Sequence, residues 1–383
     1  MGNMPKAVMS RRQLFSLGST LFAAGVLAGC SSNATQPVSV EANEQNVRLI
    51  GRTYAEDKTT WIPQSGSAVE FLATCKSLKL EMAGDDNVNK EADQQPRFAV
   101  LVDGKIVLDT TLSQTLGTVE VPLDQPLNDA VIEVIHLSEA LKGNIGIRTI
   151  TVESDSPTPV RPTNSKNKSI AFVGDSITCA YGVEAKNSDE PFKTTTENFM
   201  KSYAYFAAQE LDADYETVCY NGYGVVSGWS ANGERNTERL MPPVYELVTT
   251  QSEQKWDFAA HPHDIVVVNL GTNDSTYTGT DEGRIAEFTE AYTDFLGQIR
   301  EHNPKSIIIC TVGTMEGGEL LYPAIEQAVS VHANNTGDTR VHSYLSAPIS
   351  IAEDGCGTGE HPNEASQRKA AKELVAAIHK FMA

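Results

Sequence analysis

Four short blocks, in a fixed order along the chain, hold a hydroxyl, an imidazole and hydrogen-bond donors, the residue types of nucleophilic catalysis. The first is Gly174-Asp175-Ser176-Ile177-Thr178, where a serine stands just after an apolar run and a helix can begin. A hydroxyl there projects above a sheet, with nearby backbone N–H groups facing a developing oxyanion. The second block, Asn221-Gly222-Tyr223-Gly224, offers a glycine whose backbone can approach a ligand closely and donate an N–H. The third, Asn269-Leu270-Gly271-Thr272-Asn273-Asp274, adds a side-chain amide as another donor, and His361-Pro362-Asn363 supplies an imidazole base. Each block alone reads as well as a turn or a cap, and Asp175-Ser176 has the composition of a helix N-terminus. All four in this order, at successive strand ends, point to nucleophilic catalysis. A serine hydroxyl is a weak nucleophile, so Ser176 requires His361 to take its proton, while the Ser176 N–H, the Gly222 N–H and the Asn273 amide hold the oxyanion. That chemistry calls for no metal and no organic cofactor.

The blocks must be positioned by a scaffold, and the pattern around them describes one. Apolar runs at 169–173, 217–220, 264–270, 306–312 and 340–345 alternate with helical stretches near 198–211, 234–249, 281–302, 318–335 and 363–382. Continuous buried strands alternating with helices predict a parallel sheet in a three-layer α/β/α domain over 168–383. Sites in such sheets lie at the carboxyl ends of the strands. Residues 47–155 have a different texture: short alternating or β-branched runs at 69–73, 79–82, 98–102, 118–121, 130–135 and 145–152, with turn signals at Asp103-Gly104 and Asn128-Asp129. These predict an antiparallel β-sandwich. The proline-rich stretch 156–167 reads as a stiff extended linker between the two.

The four blocks resemble those of SGNH/GDSL hydrolases, with Ser176, a glycine at 222, Asn273 and His361 in the matching places, over about the whole of 168–382. The two-domain layout, the run 174–182 and Gly146-Ile147-Arg148 before the linker resemble carbohydrate esterase family 2 more particularly. That resemblance implies a flavodoxin-like hydrolase domain behind a jelly-roll-like sandwich. It also implies removal of O-acetyl groups from polysaccharides such as xylan through an acetyl-serine intermediate. One departure bears on mechanism. Many SGNH enzymes carry an Asp three residues before the histidine, and some family 2 esterases carry one two residues before it; here those positions are Thr358 and Gly359. The resemblance leaves a backbone carbonyl, as in the dyad form of family 2, or Asp354 or Glu360 to orient the imidazole, and the dyad is the favoured expectation. Glu360 also occupies the place where similar proteins often carry a sugar-stacking Trp.

Other residues weigh less. Trp229, close after the second block, is a candidate for lining the cleft, whereas Trp61 reads as sandwich core. His261-Pro262-His263 has no nearby third ligand and reads as loop histidines rather than a metal site. Asp274 and Asp281 read as caps or solvated acids.

The first thirty residues read as an address. Ser10-Arg11-Arg12-Gln13-Leu14-Phe15 forms a charged start, 17–27 an apolar stretch too short for a comfortable membrane span, and Leu27-Ala28-Gly29-Cys30-Ser31-Ser32 resembles a bacterial lipobox. The twin arginines leave both Tat and Sec export open. Cys30 is then the lipidated residue, 31–46 a flexible tether, and the chain an exported lipoprotein, monomeric and held to the membrane only by that anchor. The formal charge of −20 on 383 residues argues against nucleic-acid partners. Five further cysteines, with no C-x-x-C pair, leave one disulfide open but unassigned. Two functions compete: an esterase acting on O-acetylated carbohydrate, with a lipase or thioesterase as variants, and a non-catalytic carbohydrate-binding surface lipoprotein.

Overall fold

The computed structural model describes residues 37–382, and these fold as one compact unit. The signal peptide expected over 1–30, Cys30 with it, and the beginning of the expected tether lie outside the described residues.

Strands come first: β1 (Pro37–Glu41), β2 (Arg48–Ile50), β3 (Tyr54–Glu56), β4 (Thr59–Trp61), β5 (Ala68–Cys75), β6 (Ser77–Gly84), β7 (Arg97–Val102), β8 (Lys105–Thr111), β9 (Leu116–Val121), β10 (Leu127–His136), β11 (Ile145–Glu153) and β12 (Val160–Pro162). They make two antiparallel sheets, ordered β3-β4-β11-β6-β9 and β12-β5-β10-β7-β8, with β1 added to β11 and β2 to β5. Alternation explains the pairing. Along β5 and β10 every second residue, such as Val69, Phe71, Ile132 and Val134, is buried in the same core as Leu80 and Met82 of β6 and Ile147 and Ile150 of β11.

Two stretches read as connectors are strands instead. Residues 37–41, assigned to the tether, form β1 in register with β11 from Pro37 opposite Glu153 to Glu41 opposite Thr149. Val38 and Val40 pack on the sandwich core while their neighbours face solvent, an alternation hidden among small polar residues. Within the linker, β12 pairs with β5 at the sheet edge, where a proline forfeits no ladder hydrogen bond.

The second half contains β13 (Ser169–Gly174), β14 (Asp214–Cys219), β15 (Ile265–Asn269), β16 (Ile307–Thr311) and β17 (Val341–Ser343), all parallel, in the order β14-β13-β15-β16-β17. Its helices are α1 (Ser176–Cys179), α2 (Tyr203–Glu210), α3 (Met241–Val244), α4 (Ser275–Thr278), α5 (Glu282–His302), α6 (Tyr322–Thr336), α7 (Ile351–Asp354) and α8 (Glu364–Met382). Both faces of this sheet are covered. Ile170, Phe172, Val267 and Ile309 share a core with α2 and α8, while Ala171, Val173, Val268 and Ile308 share one with α5 and α6. Strands buried on both sides are continuous apolar runs, which is why the sequence exposed them. The helix expected over 234–249 shrinks to the single turn α3. Pro242 and Pro243 lie at its start and bias the residues before them away from helix.

The direction in which strands are added reverses at β13: β14 is added on one side of it and β15 on the other. A crevice forms at the carboxyl ends of strands around such a switch point.

Candidate active site

Ser176 is the first residue of α1, two positions after β13 ends at Gly174. Asp175 caps the turn, its carboxylate accepting the Ile177 N–H at 2.9 Å. Ala180 then takes a left-handed conformation and ends the helix after one turn. The hydroxyl Oγ lies 2.8 Å from His361 Nε2. On the other side of the ring, Nδ1 is 2.9 Å from the Thr358 carbonyl and 3.2 Å from the Gly359 carbonyl. A carbonyl only accepts, so Nδ1 carries the hydrogen and Nε2 presents a lone pair to the serine. Burial holds the imidazole below its ordinary value of 6.5, against the opposing pull of those two carbonyls. The ring is therefore neutral near pH 7. Asp354 bonds the Ser350 N–H instead, and Glu360 is exposed; among the described residues, Nδ1 is bonded by backbone carbonyls and by no carboxylate.

Opposite the dyad lie the expected donors. Among the described residues, neither the Ser176 N–H nor the Gly222 N–H is engaged by a protein acceptor. Gly222 has φ +79°, a left-handed backbone that favours glycine, and a Cβ there would press on the end of the flexible Arg239 side chain, 2.7 Å from Nη1. Asn273 sits at the same cavity, but its amide is already engaged: Nδ2 donates to the Tyr223 carbonyl at 2.8 Å and to Asp175 Oδ2 at 3.2 Å. Two buried carboxyls flank it. Burial pushes Asp175 up to about 7 and Asp274 up to about 6, the latter despite the N–H groups of Val225, Val226 and Ser227 that it accepts. Asp274 is thus neither cap nor solvated acid. It is the anchor that folds the loop after the second block against the third.

Ser176, Gly222, Asn273, Trp229 and His361 line one cavity of about 500 Å³. Against known proteins, a model of the GDSL-like lipase/acylhydrolase family matches residues 170–374, over half of the chain. The chain belongs to that family. It is 28% identical over 331 residues to the cellulase/esterase CelE of Acetivibrio thermocellus, covering 84% of this chain and 37% of that protein; the chain thus spans little more than a third of that relative's length. It is 25% identical to an acetylxylan esterase/glucomannan deacetylase of Cellvibrio japonicus, covering 90% of this chain and 91% of that one. A family two carbohydrate esterase from Clostridium thermocellum, an active-site mutant, shares the fold with a TM-score of 0.77 at 23% identity, covering 88% and 98% of the two chains.

Measured against this GDSL-family framework, the remaining expectations divide. Trp229 lines the cavity and is 52% exposed, a large apolar surface left open to solvent. Trp61 stacks on Tyr54 in the sandwich. His261 stacks on Trp256, and buried His263 lies 3.6 Å from Glu216. Asp281 caps α5 by accepting the Arg284 N–H. The five described cysteines are buried and free. Sequence reading missed Tyr181, whose ring lies 4.8 Å from that of His361, and Arg239, which lines the cavity beside Gly222. Both follow a recognised block by a few residues or a loop, and neither type is diagnostic there.

Proposed function

We propose that this chain is a serine esterase that removes O-acetyl groups from carbohydrate, with acetylated xylan or a similar polysaccharide or oligosaccharide as substrate. The observation that carries the reading is the 2.8 Å bond between Ser176 Oγ and His361 Nε2, with Nδ1 held by carbonyls in the tautomer a general base needs. Nε2 takes the hydroxyl proton as Oγ attacks the acetyl carbonyl. The Ser176 and Gly222 N–H groups hold the oxyanion. Asn273 completes the hole by sharing with the substrate the hydrogen it directs at Asp175 over 3.2 Å, while its other hydrogen stays on the Tyr223 carbonyl. The imidazolium returns the proton to the departing sugar oxygen, leaving acetyl-Ser176, and water activated by the same Nε2 releases acetate. Every proton transfer passes through His361 Nε2, from Ser176 to the sugar oxygen in the first half and from water to Ser176 in the second.

Carbohydrate is favoured over lipid by the relatives' substrates and by the cavity wall. Asn221, Thr272, Ser275 and Thr276 offer polar groups around the dyad, and the open indole of Trp229 offers a face on which a sugar ring can stack. The N-terminal features belong to the same proposal: lipid attached at Cys30 tethers a monomeric exported enzyme to the membrane surface. Metabolic labelling with a palmitate analogue should mark the wild-type protein and not Cys30→Ala.

The test of substrate class is product analysis by mass spectrometry over acetylated xylans, mannans and medium-chain glycerol esters. Acetate release from the polysaccharides, with little turnover of the glycerol esters, is expected. Preference for the glycerol esters would replace the reading with a lipase, and glycan binding without any turnover would replace it with a binding protein.

A further inference from the structure

The second block carries its oxyanion donor on a turn, and one side of that turn is held from outside the hydrolase fold. Between β10 and β11 the sandwich sends a loop, residues 138–144, against the site. Glu139 in that loop is fully buried, and its Oε2 accepts the Asn221 N–H at 2.8 Å. Two peptide groups further on, the Gly222 carbonyl accepts the Trp229 N–H at 2.9 Å. The peptide between these two carries the free Gly222 N–H. Hydrogen bonds on both neighbouring peptides anchor the Cα atoms of Asn221 and Gly222, the two ends of the peptide that carries this N–H.

We infer that Glu139 is a positioning residue of the active site, aiming the Gly222 N–H at the oxyanion through its bond to Asn221; the inference rests on the esterase reading above. The loop is held at the backbone of Glu139, whose N–H donates to Glu197 Oε2 at 3.0 Å, while Arg97 grips the Glu197 carbonyl at 3.1 Å; the second carboxyl oxygen of Glu139 faces Lys142 Nζ at 3.6 Å. Burial pushes the Glu139 carboxyl above the ordinary carboxylate range, so it is a costly way to satisfy one backbone N–H. The same loop also reaches toward the base. Lys142 Nζ sits 4.7 Å over the Phe192 ring, which stacks at 4.0 Å on Tyr181, the ring that packs against His361. The sandwich thereby reaches both halves of the site.

The test compares Glu139→Met, which fills the volume without an acceptor, with Glu139→Gln, whose amide oxygen still accepts the Asn221 N–H. Rates on p-nitrophenyl acetate are expressed per active site, counted by labelling Ser176 to completion with a fluorophosphonate. Glu139→Met should lower kcat at least tenfold with KM changed less than twofold, and Glu139→Gln should stay within about threefold of wild type. Should the Met variant not fold, Glu139→Asp, which keeps the charge but withdraws it from Asn221, should show the same kcat loss at unchanged KM. Wild-type kcat per labelled site in the Met or Asp variant, or equal losses in Met and Gln, would overturn the inference. No turnover in the wild type, or no labelling at Ser176, would instead overturn the esterase reading on which it stands.

Discussion

A histidine whose Nδ1 hydrogen is held by the Thr358 and Gly359 carbonyls gains orientation without gaining a negative charge behind it. A carboxylate in that place would raise the imidazole's proton affinity; here burial lowers it below 6.5. The base works only when neutral, so lowering its pKa extends activity toward acid. The acid limb of the kcat/KM profile should therefore have its midpoint below 6.5, with a plateau above it, whereas a midpoint above 7 would indicate a carboxylate partner. Asp354→Asn and Glu360→Gln should each leave kcat within twofold, because neither side chain reaches the ring. Asn273→Ala should cost about a hundredfold in kcat, the typical loss for one oxyanion donor. That Ser176, Gly222, Asn273 and His361 belong together was legible in the sequence because they fall in short motifs at strand ends, and the structure places all four at one cavity. What a backbone carbonyl does is not legible, since any residue supplies one. Asp274 was misjudged for a related reason: its three N–H partners lie 47 to 49 residues earlier in the chain.

At the scale of elements, α1 is a single turn and depends on its neighbours for its place. Gln367 of α8 is fully buried and staples three helices, donating to the Ile177 carbonyl at 2.9 Å and accepting the Tyr203 N–H at 2.8 Å. Gln367→Leu leaves the buried Tyr203 N–H unpaired and the Ile177 carbonyl with only the Ala180 N–H at 3.3 Å. Denaturant unfolding should show a loss of roughly 1–3 kcal/mol, and kcat should fall as the serine's helix loosens. A change under 0.5 kcal/mol, within the range of ordinary surface substitutions, would contradict the staple. The parallel strands and the long helices α5 and α8 announced themselves through continuous apolar runs and through faces such as Phe288, Tyr292, Phe295 and Ile299. Strands of three to five residues such as β1, β2 and β12 did not, because a pattern that short does not rise above chance and their pairing is decided by partners far along the chain.

Over the whole molecule, sandwich and hydrolase layers share their interior. Ile50, Ala68, Leu101 and Leu137 from the sandwich lie in the same apolar cluster as Phe172, Tyr203 and Leu374 of the hydrolase half. Arg52, fully buried just after β2, pairs with Glu216 of β14 at 2.9 Å and donates to the Tyr245 and Leu247 carbonyls. Breaking such a pair strands a buried charge, so Arg52→Ala should cost about 3–5 kcal/mol. Calorimetry should record one unfolding transition, and two well-separated transitions would show that the layers are independent. The two textures of the sequence suggested two separable domains with a linker between, which gives the architecture but not this shared core. An apolar residue is marked by the sequence as buried, not by which layer buries it.

All three scales meet at Ser176, where strand end, capped turn and buried base converge on one oxygen. The most direct measurement is acetate release from p-nitrophenyl acetate and acetylated xylan by the purified wild-type protein and by Ser176→Ala, each checked for folding by circular dichroism. The wild type should turn over both substrates and accumulate acetyl on Ser176 detectable by peptide mass spectrometry, while the folded alanine variant should release no acetate above background. Undiminished release by that variant would contradict the assignment of Ser176 as the nucleophile.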